Sequence, residues 1–238
     1  SVDENQPIGT EVGLLTTADP NGTDTHSYEL VTGTGDNDNA SFQIQDDQLQ
    51  TNAIFDFEDQ NSYSIRIRTT DNEGLTFDEV FAISINNVNE APTDINLSSN
   101  SVDEGLPVET VVGVFTTQDP DAGGSHTYSL VTGDGDGGNA SFQISGNELQ
   151  TNAIFDFEDQ NSYSIRVRTT DNGGLSFEKE FIVAINDINE APVSVNKSIT
   201  IEEDKVHTFA AAKFSENFSD PEDDAFNGIR IVTTPEKG

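Results

Sequence analysis

The sequence contains no cysteine, and only 10 of its 238 residues are lysine or arginine, against 44 aspartate and glutamate residues. Without cysteine there is no disulfide framework and no thiolate metal site. The net charge of −34 excludes nucleic acid as a partner, because binding to phosphates requires clustered basic residues. The same charge argues against attraction to an anionic membrane surface.

The sequence also lacks long apolar runs. No stretch approaches the length needed to cross a membrane, and no secretory leader is recognisable. We therefore expect no direct membrane insertion. The chain starts inside a strand-like pattern, which predicts a fragment whose targeting information lies elsewhere. Its length suits about two domains.

The excess of acid has two interpretations. The first is a solvating, partly disordered surface. Alternatively, the acids are ligands whose cations a sequence does not show, since Ca²⁺ takes about six to eight oxygen ligands, many of them carboxylates.

An internal repeat is the main signal. Residues 49–70 recur at 149–170 with one change, from Ile67 to Val167, and residues 1–4 recur as 101–104. A period of 100 residues is the size of one small domain. The repeat predicts three units: residues 1–92, which lack a first strand, residues 93–192, and residues 193–238, a truncated and divergent third unit.

Within each unit the pattern is that of β-strands. Tyr63, Ile65 and Ile67 alternate with polar residues, which is the period of a half-buried strand. Turn sequences rich in Gly, Asn and Asp separate the short runs. This pattern predicts an all-β fold of tandem Greek-key, immunoglobulin-like β-sandwiches, with about seven strands in each unit. The regular alternation disfavours disorder.

The acids gather at predicted strand ends and in the linkers. Asp56 and Glu58 precede a strand, and Asn89 and Glu90 precede the rigid Pro92. Clustered carboxylates repel one another unless a cation lies among them. Within the Phe55-Asp56-Phe57-Glu58 segment, we expect one Phe to pack in the core while the acids face a metal.

This set of acids resembles the cadherin repeat, with a Glu near the end of the first strand, an Asp-x-Glu, an acidic linker and an Asp-x-Asp in the next domain. The resemblance implies Ca²⁺ at each junction between domains. At the first junction it implies the ligands Glu4, Asp56, Glu58, Asn89 and Glu90, with Asp119, Asp121 and Asp171 from the second unit. At the second it implies Glu104, Asp156, Glu158, Asp187, Asn189 and Glu190, with Asp220 and Glu222 from the third.

The linker sequence Asn-Glu-Ala-Pro is similar to that of the cadherin-like repeats of large bacterial surface and secreted proteins. The sequence departs from the family pattern in details, because Asn87 stands where the second linker has Asp187. Asp19, Asn21 and Asp71 match the ligands of a junction with a preceding domain.

Other motifs are weaker. An EF-hand starting at Asp119 would need a Glu at its twelfth position, where Leu130 stands. The glycine run 133–138 occurs once and cannot stack into a β-roll. His26 and His126 have no neighbouring His in the sequence, which favours a structural role over zinc or catalysis.

The sequence therefore predicts calcium-rigidified extracellular spacer or adhesion repeats of a large cell-surface or secreted protein, with no enzymatic activity. The alternative is a module that adheres directly, to itself, to another surface protein or to a polysaccharide. An accessory domain of an extracellular enzyme is a weaker hypothesis.

Overall fold

The computed structural model describes residues 1–238 except residues 21, 23, 122, 195–197, 199, 201, 203–205, 211, 217 and 230–238. By their contacts, the residues form two compact units. The first contains residues 1–94, 117–126 and 170–177, and the second contains residues 95–116, 127–169 and 178–238. The first unit thus includes two stretches that the repeat assigns to residues 93–192. The divisions at residues 92 and 192 stay predictions.

The described residues form strands with two single-turn 3₁₀ helices, Asn39–Ser41 and Asn139–Ser141, and one short α-helix. The strands of the first repeat are Val2–Asp3 (β1), Glu11–Leu14 (β2), His26–Leu30 (β3), Phe42–Gln45 (β4), Gln48–Thr51 (β5), Ser62–Asp71 (β6) and Thr76–Asn86 (β7). Those of the second are Asp94–Leu97 (β8), Ser101–Asp103 (β9), Val111–Gln118 (β10), Thr127–Leu130 (β11), Phe142–Ser145 (β12), Glu148–Thr151 (β13), Ser162–Thr170 (β14) and Ser176–Asn186 (β15). Val193–Ser194 (β16), Ala212–Ser215 (α1) and Phe218–Ser219 (β17) follow.

The first repeat is a sandwich of two sheets, in the orders β1-β7-β6-β3 and β2-β5-β4. The predicted alternation is confirmed in β6, where Ile65 and Ile67 are buried between less buried neighbours. These side chains meet Phe42 and Leu49 of the opposite sheet in one core. The predicted Greek-key, immunoglobulin-like sandwich is therefore confirmed.

Aromatic packing positions the loop that carries two of the candidate ligands. The Phe55 ring lies 5.2 Å from the Phe42 ring and 4.6 Å from the Tyr63 ring, between centroids, and only 2% of Phe55 is exposed. Phe57 is half-buried. As predicted, one Phe anchors this segment in the core. Asp56 and Glu58 lie beside it and are exposed. Phe55 holds them in place, and removing its side chain would leave a large cavity.

The second repeat has the sheets β9-β15-β14-β11 and β8-β10-β13-β12. It therefore has a fourth strand, β8, where the corresponding sheet of the first repeat has three strands among the described residues. The predicted lack of a first strand in residues 1–92 stays a prediction.

In the predicted third unit, β16 and β17 pair in antiparallel fashion. The sequence of residues 199–203 resembles a first strand that ends in acid, and most of these residues lie outside the described ones. Within the part of the chain that the structure describes, none of the helices has the length and apolar character needed to span a bilayer.

Candidate metal centre

Glu4 is the buried member of the first acidic cluster, which we define as Glu4, Asp56 and Glu58. It directly follows β1 and is 1% exposed. Its Oε2 accepts the Phe57 backbone N–H at 2.7 Å, and its Oε1 accepts the Val88 N–H at 2.8 Å. Two backbone donors provide hydrogen bonds to both oxygens of this buried carboxylate and hold it in one orientation.

Asp56 and Glu58 complete this cluster. One carboxylate oxygen from each of the three residues lies within 4.8 Å of the other two. Asp56 Oδ1 accepts the backbone N–H groups of Glu58 and Asp59 at 3.0 and 3.1 Å, which fixes the turn. Asn87 Nδ2 donates to Glu58 Oε1 at 3.0 Å. Three hard oxygen donors so close together are a set that a divalent cation could join.

The linker contacts the remaining predicted ligands of the first junction, all within the first compact unit. The Glu90 backbone N–H donates to Asp121 Oδ2 at 2.7 Å, and Asn89 Nδ2 donates to Asp171 Oδ2 at 2.9 Å. Asp119 is tied to the same place, because its Oδ1 accepts the Asp121 N–H at 3.0 Å. The structure therefore brings acids distant in sequence to the two linker residues.

Gly173 permits this approach. A Cβ on Gly173 would overlap the side-chain amide of Asn89, so a larger residue would displace Asn89 from Asp171. The first repeat has Glu73 at the corresponding position. The requirement for glycine could not be found from the sequence, because it comes from a linker that is about 80 residues away.

The second acidic cluster is Glu104, Glu158 and Asp187, whose ligand oxygens also lie within 4.8 Å of one another. Glu104 repeats the contacts of Glu4, accepting the backbone N–H groups of Phe157 at 2.5 Å and Ile188 at 2.8 Å. Each of the two clusters has three carboxylates. Asp187 stands where the first linker has the neutral Asn87, so the second linker itself carries one more acidic residue.

The second linker also meets an acid of the predicted third unit. The Glu190 N–H donates to Glu222 Oε1 at 2.6 Å, and Asn189 Nδ2 donates to Glu190 O at 2.9 Å. Glu222 Oε2 is buried and has no hydrogen-bond partner among the described residues. An ionised oxygen buried in this way is costly unless a cation compensates it. This orphaned oxygen fits a bound metal ion.

Asp156 and Asp220 lie in turns. Asp156 Oδ1 accepts the Asp159 N–H at 3.1 Å, and Asp220 Oδ1 accepts the Asp224 N–H at 3.2 Å. Both are predicted ligands of the second junction, and that assignment stays a prediction.

Glu58 and Glu158 have pKa values above the usual value for glutamate. Burial, followed by the charges of Glu4, Asp121 and Glu90, raises the pKa of Glu58. Burial, followed by the charges of Glu104, Asp187 and Asp156, raises the pKa of Glu158. A raised pKa means that the cluster disfavours its own ionisation, which a cation would reverse.

Asp171 behaves differently. Burial by itself would raise its pKa, but the hydrogen bonds from Asn89 and from the N–H groups of Leu175, Gly174 and Gly173 lower the pKa below its usual value. Asp171 is therefore held as a carboxylate next to the linker.

A third acidic cluster of Asp19, Asp24 and Asp71 lies in the first repeat, again with ligand oxygens within 4.8 Å of one another. Asp24 was not predicted as a ligand, although it follows Asp19 by five residues in the same loop. Asn21, predicted to belong with Asp19 and Asp71, lies outside the described residues.

His26 and His126 each contact an aspartate at an equivalent position of the two repeats. His126 Nε2 lies 2.8 Å from Asp119 Oδ2, and His26 Nε2 lies 3.1 Å from Asp19 Oδ2. The predicted structural role agrees with these contacts, since each imidazole orients a carboxylate. The repeated spacing Asp-x₆-His was the available sequence signal.

The raised pKa values of Glu58, Glu158 and Glu190 predict an unusual pH dependence without metal. Burial and neighbouring acids raise all three, so the folded state binds these protons more tightly than the unfolded chain. The free energy of unfolding then falls as the pH rises through the range in which these three glutamates ionise, and it increases on mild acidification. We expect the thermal midpoint in chelator to be higher near pH ~5 than at pH ~7, measured by circular dichroism.

Acids whose pKa is lowered in the folded state change the stability of the protein only at lower pH. Hydrogen bonds from Arg68 lower the pKa of Asp78, and those from Arg168 lower the pKa of Glu178, so the stability that these two acids contribute is lost below about pH 4.

The control variant for the pH prediction replaces Glu58, Glu158 and Glu190 with Gln and should flatten the dependence of the thermal midpoint on pH. A midpoint in chelator that falls steadily from neutral pH downwards would contradict this expectation.

The fold and these clusters define a class of protein, tandem β-sandwich repeats with carboxylates gathered at their linkers. The Cadherin domain family model matches residues 1–86 and 98–186. The chain belongs to the cadherin domain family, and its expected extracellular location is confirmed.

The relatives are cadherins and protocadherins. Human cadherin-12 is 28% identical over 217 residues, covering 82% of this chain and 27% of cadherin-12. Human protocadherin gamma-A6 is 29% identical over 242 residues, covering 94% of this chain and 25% of the relative. The chain therefore spans about a quarter of the length of these relatives. They are human proteins, and the bacterial subgroup stays a prediction.

Solved structures support the fold. Human protocadherin-24 EC1-2 has a TM-score of 0.64 at 19% identity, covering 79% of this chain and 94% of that one. The protocadherin gammaB4 extracellular domain has a TM-score of 0.57 at 24% identity, covering 82% of this chain and 32% of that one.

Proposed function

We propose that this chain is a calcium-stiffened run of extracellular cadherin repeats within a larger adhesion protein. The observation that carries the proposal is the first linker. Asn89 and Glu90 are hydrogen-bonded to Asp171 and Asp121, close in sequence to where Val88 holds buried Glu4. Carboxylates from both sides of the linker thus meet at the segment that calcium would make rigid.

The proposed ligands are those that the resemblance implied. At the first junction the first acidic cluster, Asn89 and Glu90 would hold Ca²⁺ together with Asp119, Asp121 and Asp171. At the second, the second acidic cluster and Asp156, Asn189 and Glu190 would hold it together with Asp220 and Glu222. Calcium suits these donors because all are carboxylate or amide oxygens, without nitrogen or sulfur ligands.

Calcium would change the mechanics of the linker. Without a cation, the acids beside it repel, which favours conformations that separate them. With Ca²⁺ bound, the same acids hold the linker from two sides, and the ordered state is stabilised by mass action. A series of such junctions would form a stiff spacer carrying an adhesive module away from the cell surface.

Direct adhesion through these repeats is the second candidate. Protocadherin gammaB7, one of the structural relatives at 25% identity and a TM-score of 0.53, was solved as a cis-dimer. Sedimentation of this chain in calcium tests the idea, because homophilic contact requires association that depends on concentration. The alternatives of a polysaccharide partner and of an enzyme accessory domain have no observation that favours them.

The stiffening proposal can be tested with a pair of spin labels. Because the chain has no cysteine, Gln45→Cys and Ser145→Cys place labels only at two equivalent, exposed strand ends. We expect a narrow distribution of label-to-label distances in calcium and a broad one in chelator, measured by pulsed dipolar spectroscopy. Equal widths in the two conditions would refute stiffening.

A single substitution separates the linker from the acids. Gly173→Glu removes no carboxylate but displaces Asn89, so it should broaden the distances in calcium. The matched control is Glu73→Gly, which makes the reverse exchange at the corresponding loop of the first repeat and should leave the distribution unchanged.

A further inference from the structure

Asn5 turns the chain out of β1 directly after the buried Glu4. Its φ of 57° lies in the left-handed region, which asparagine tolerates better than most residues other than glycine. The equivalent residue of the second repeat is Gly105, with a φ of 67°. The Asn5 N–H donates to Phe55 O at 2.9 Å. The Gly105 N–H makes the same bond to Phe155 O at 3.0 Å. Glycine therefore satisfies this turn, and the backbone does not account for asparagine in the first repeat.

The Asn5 side chain reaches the first linker. Its Nδ2 donates to Glu90 Oε1 at 2.7 Å, across 85 residues of sequence. The backbone N–H of Glu90 is also bound, because it donates to Asp121 Oδ2 at 2.7 Å. Hydrogen bonds to ionised oxygens are stronger than those between neutral groups. Glu90 is thus fixed at two points, one on its main chain and one on its carboxylate.

The contact with Asn5 leaves one oxygen of the Glu90 carboxylate for a cation. Among the described residues, Oε2 of Glu90 accepts no hydrogen bond. Asn5 is neutral, so it orients the carboxylate without cancelling the charge that attracts a cation. A lysine at this position would hold the carboxylate but would also compete with the metal ion.

Like charges surround the Glu90 carboxylate. Burial first, and then neighbouring charges that include those of Glu4 and Glu90, raise the pKa of Glu58, so these acids lie close enough to repel one another. A long side chain such as glutamate also loses rotamer freedom when it is held in one place. Asn5 opposes both effects before a cation arrives, and an ion that binds a ligand already in place has less ordering to offset.

The second repeat lacks this donor. Gly105 has no side chain, although a Cβ there would have nothing within 4 Å. The Glu190 N–H keeps its equivalent bond, to Glu222 Oε1 at 2.6 Å. In the part of the chain that the structure describes, the Glu190 carboxylate accepts no hydrogen bond. Glu190 is exposed, whereas Glu90 is half-buried. The same linker acid is therefore held by a side chain in the first repeat and is not held in this way in the second.

We propose that Asn5 is a positioning residue for calcium at the first junction. It holds the Glu90 carboxylate beside the first acidic cluster, and this order strengthens the binding of the ion. Asn5 acts through Glu90 and is not itself a ligand. The inference rests on the proposed calcium function, to which it adds a residue that sets the affinity of one junction.

Asn5→Gly tests this role, because it gives the first repeat the residue of the second at a φ that glycine adopts without strain. The whole chain, labelled at Gln45→Cys and Ser145→Cys, is titrated with calcium while pulsed dipolar spectroscopy follows the label-to-label distances. We expect Asn5→Gly to raise the calcium concentration at which half of the narrowing has occurred by about threefold or more. Narrowing at the same calcium concentration with and without Asn5→Gly would overturn the role of Asn5.

Glu90→Ala shows whether Asn5 acts through Glu90. In a chain that carries Glu90→Ala, adding Asn5→Gly should leave the half-point of narrowing unchanged, since the carboxylate that Asn5 positions is gone. If the two substitutions instead weaken calcium binding independently, Asn5 does not act through Glu90 and the proposal is wrong.

Melting in chelator separates positioning from a purely structural role. Without calcium, the chains with and without Asn5→Gly should melt within about 4 °C of each other, as expected for a surface change in a small domain. A midpoint that falls as far in chelator as in calcium would make Asn5 purely structural and contradict the proposal.

The matched control is Asn86→Ala. It removes another exposed hydrogen bond from an amide to an acid, between Asn86 Nδ2 and Asp3 Oδ1 at 2.9 Å, and Asp3 belongs to none of the three acidic clusters. This control should leave the half-point of narrowing unchanged. A shift as large as that of Asn5→Gly would show that any such bond affects calcium binding, which would refute a specific role for Asn5.

The calcium proposal and the role of Asn5 fail in different ways. If the labelled chain without Asn5→Gly shows no narrowing in calcium, stiffening is refuted and the role of Asn5 with it. If that chain narrows and Asn5→Gly does not shift its half-point, stiffening stands and only the role of Asn5 is refuted.

Discussion

The thermal midpoint of this chain should rise by more than about 10 °C when chelator is replaced by millimolar calcium. One independent site saturated to about 1,000 times its Kd stabilises the folded state by about 4 kcal/mol. For a domain near 100 residues, each kcal/mol shifts the midpoint by about 4–8 °C. Magnesium at the same concentration should have a much smaller effect, because it holds its own waters and needs near-octahedral geometry.

The control is a matched pair of double variants in the first repeat. Asp56→Asn with Glu58→Gln removes two charges of the first acidic cluster, and Asp46→Asn with Asp47→Asn removes two charges from an exposed turn outside the three acidic clusters. Only the first pair should reduce the calcium shift, and in chelator it should melt higher than the unsubstituted chain because repulsion is relieved. An equal calcium shift in both variants would show that the cluster binds no calcium.

Replacing the buried Glu104 with Ala should strongly destabilise the second repeat, even in chelator. The substitution leaves the N–H groups of Phe157 and Ile188 without their acceptor. Each unsatisfied buried donor costs about 1–3 kcal/mol, so we expect a loss of about 2–6 kcal/mol. Relief of repulsion on Glu158 opposes this loss only weakly, because the Glu158 side chain is exposed. Urea unfolding monitored by circular dichroism measures the difference.

Asp103→Ala is the matched control, since Asp103 is the exposed neighbour of Glu104 on β9. Its carboxylate accepts one hydrogen bond, from Asn186 Nδ2 at 2.8 Å. A surface change of this kind is expected to stay within about 0.5 kcal/mol. If Glu104→Ala unfolds at the same urea concentration as Asp103→Ala, the buried carboxylate does not stabilise the junction loops as its contacts indicate.

Several features were predictable because they are local or repeated. The alternation of Tyr63, Ile65 and Ile67 predicted β6, since a strand places every second side chain on one face. One Phe of the Phe55-Asp56-Phe57-Glu58 segment was expected in the core, and Phe55 is the one that is buried. The near-identity of residues 49–70 and 149–170 predicted two sandwiches of the same kind, and the family match covers residues in both.

The sites could be predicted only in outline. Glu4 was selected as a ligand, but nothing near it in the sequence predicts that Val88 and Phe57 donate to its two oxygens. Asp24 was missed because its place in the third acidic cluster depends on its distances from Asp19 and Asp71, and the sequence does not show those distances. The need for glycine at position 173 depends on Asn89, which approaches from a distant part of the chain.

The sequence by itself determined the β class, the repeat of 100 residues and the concentration of acid at strand ends and linkers, because these are properties of composition and short-range order. Only the tertiary structure decided which acids meet and which of them is buried. Those outcomes depend on long-range packing.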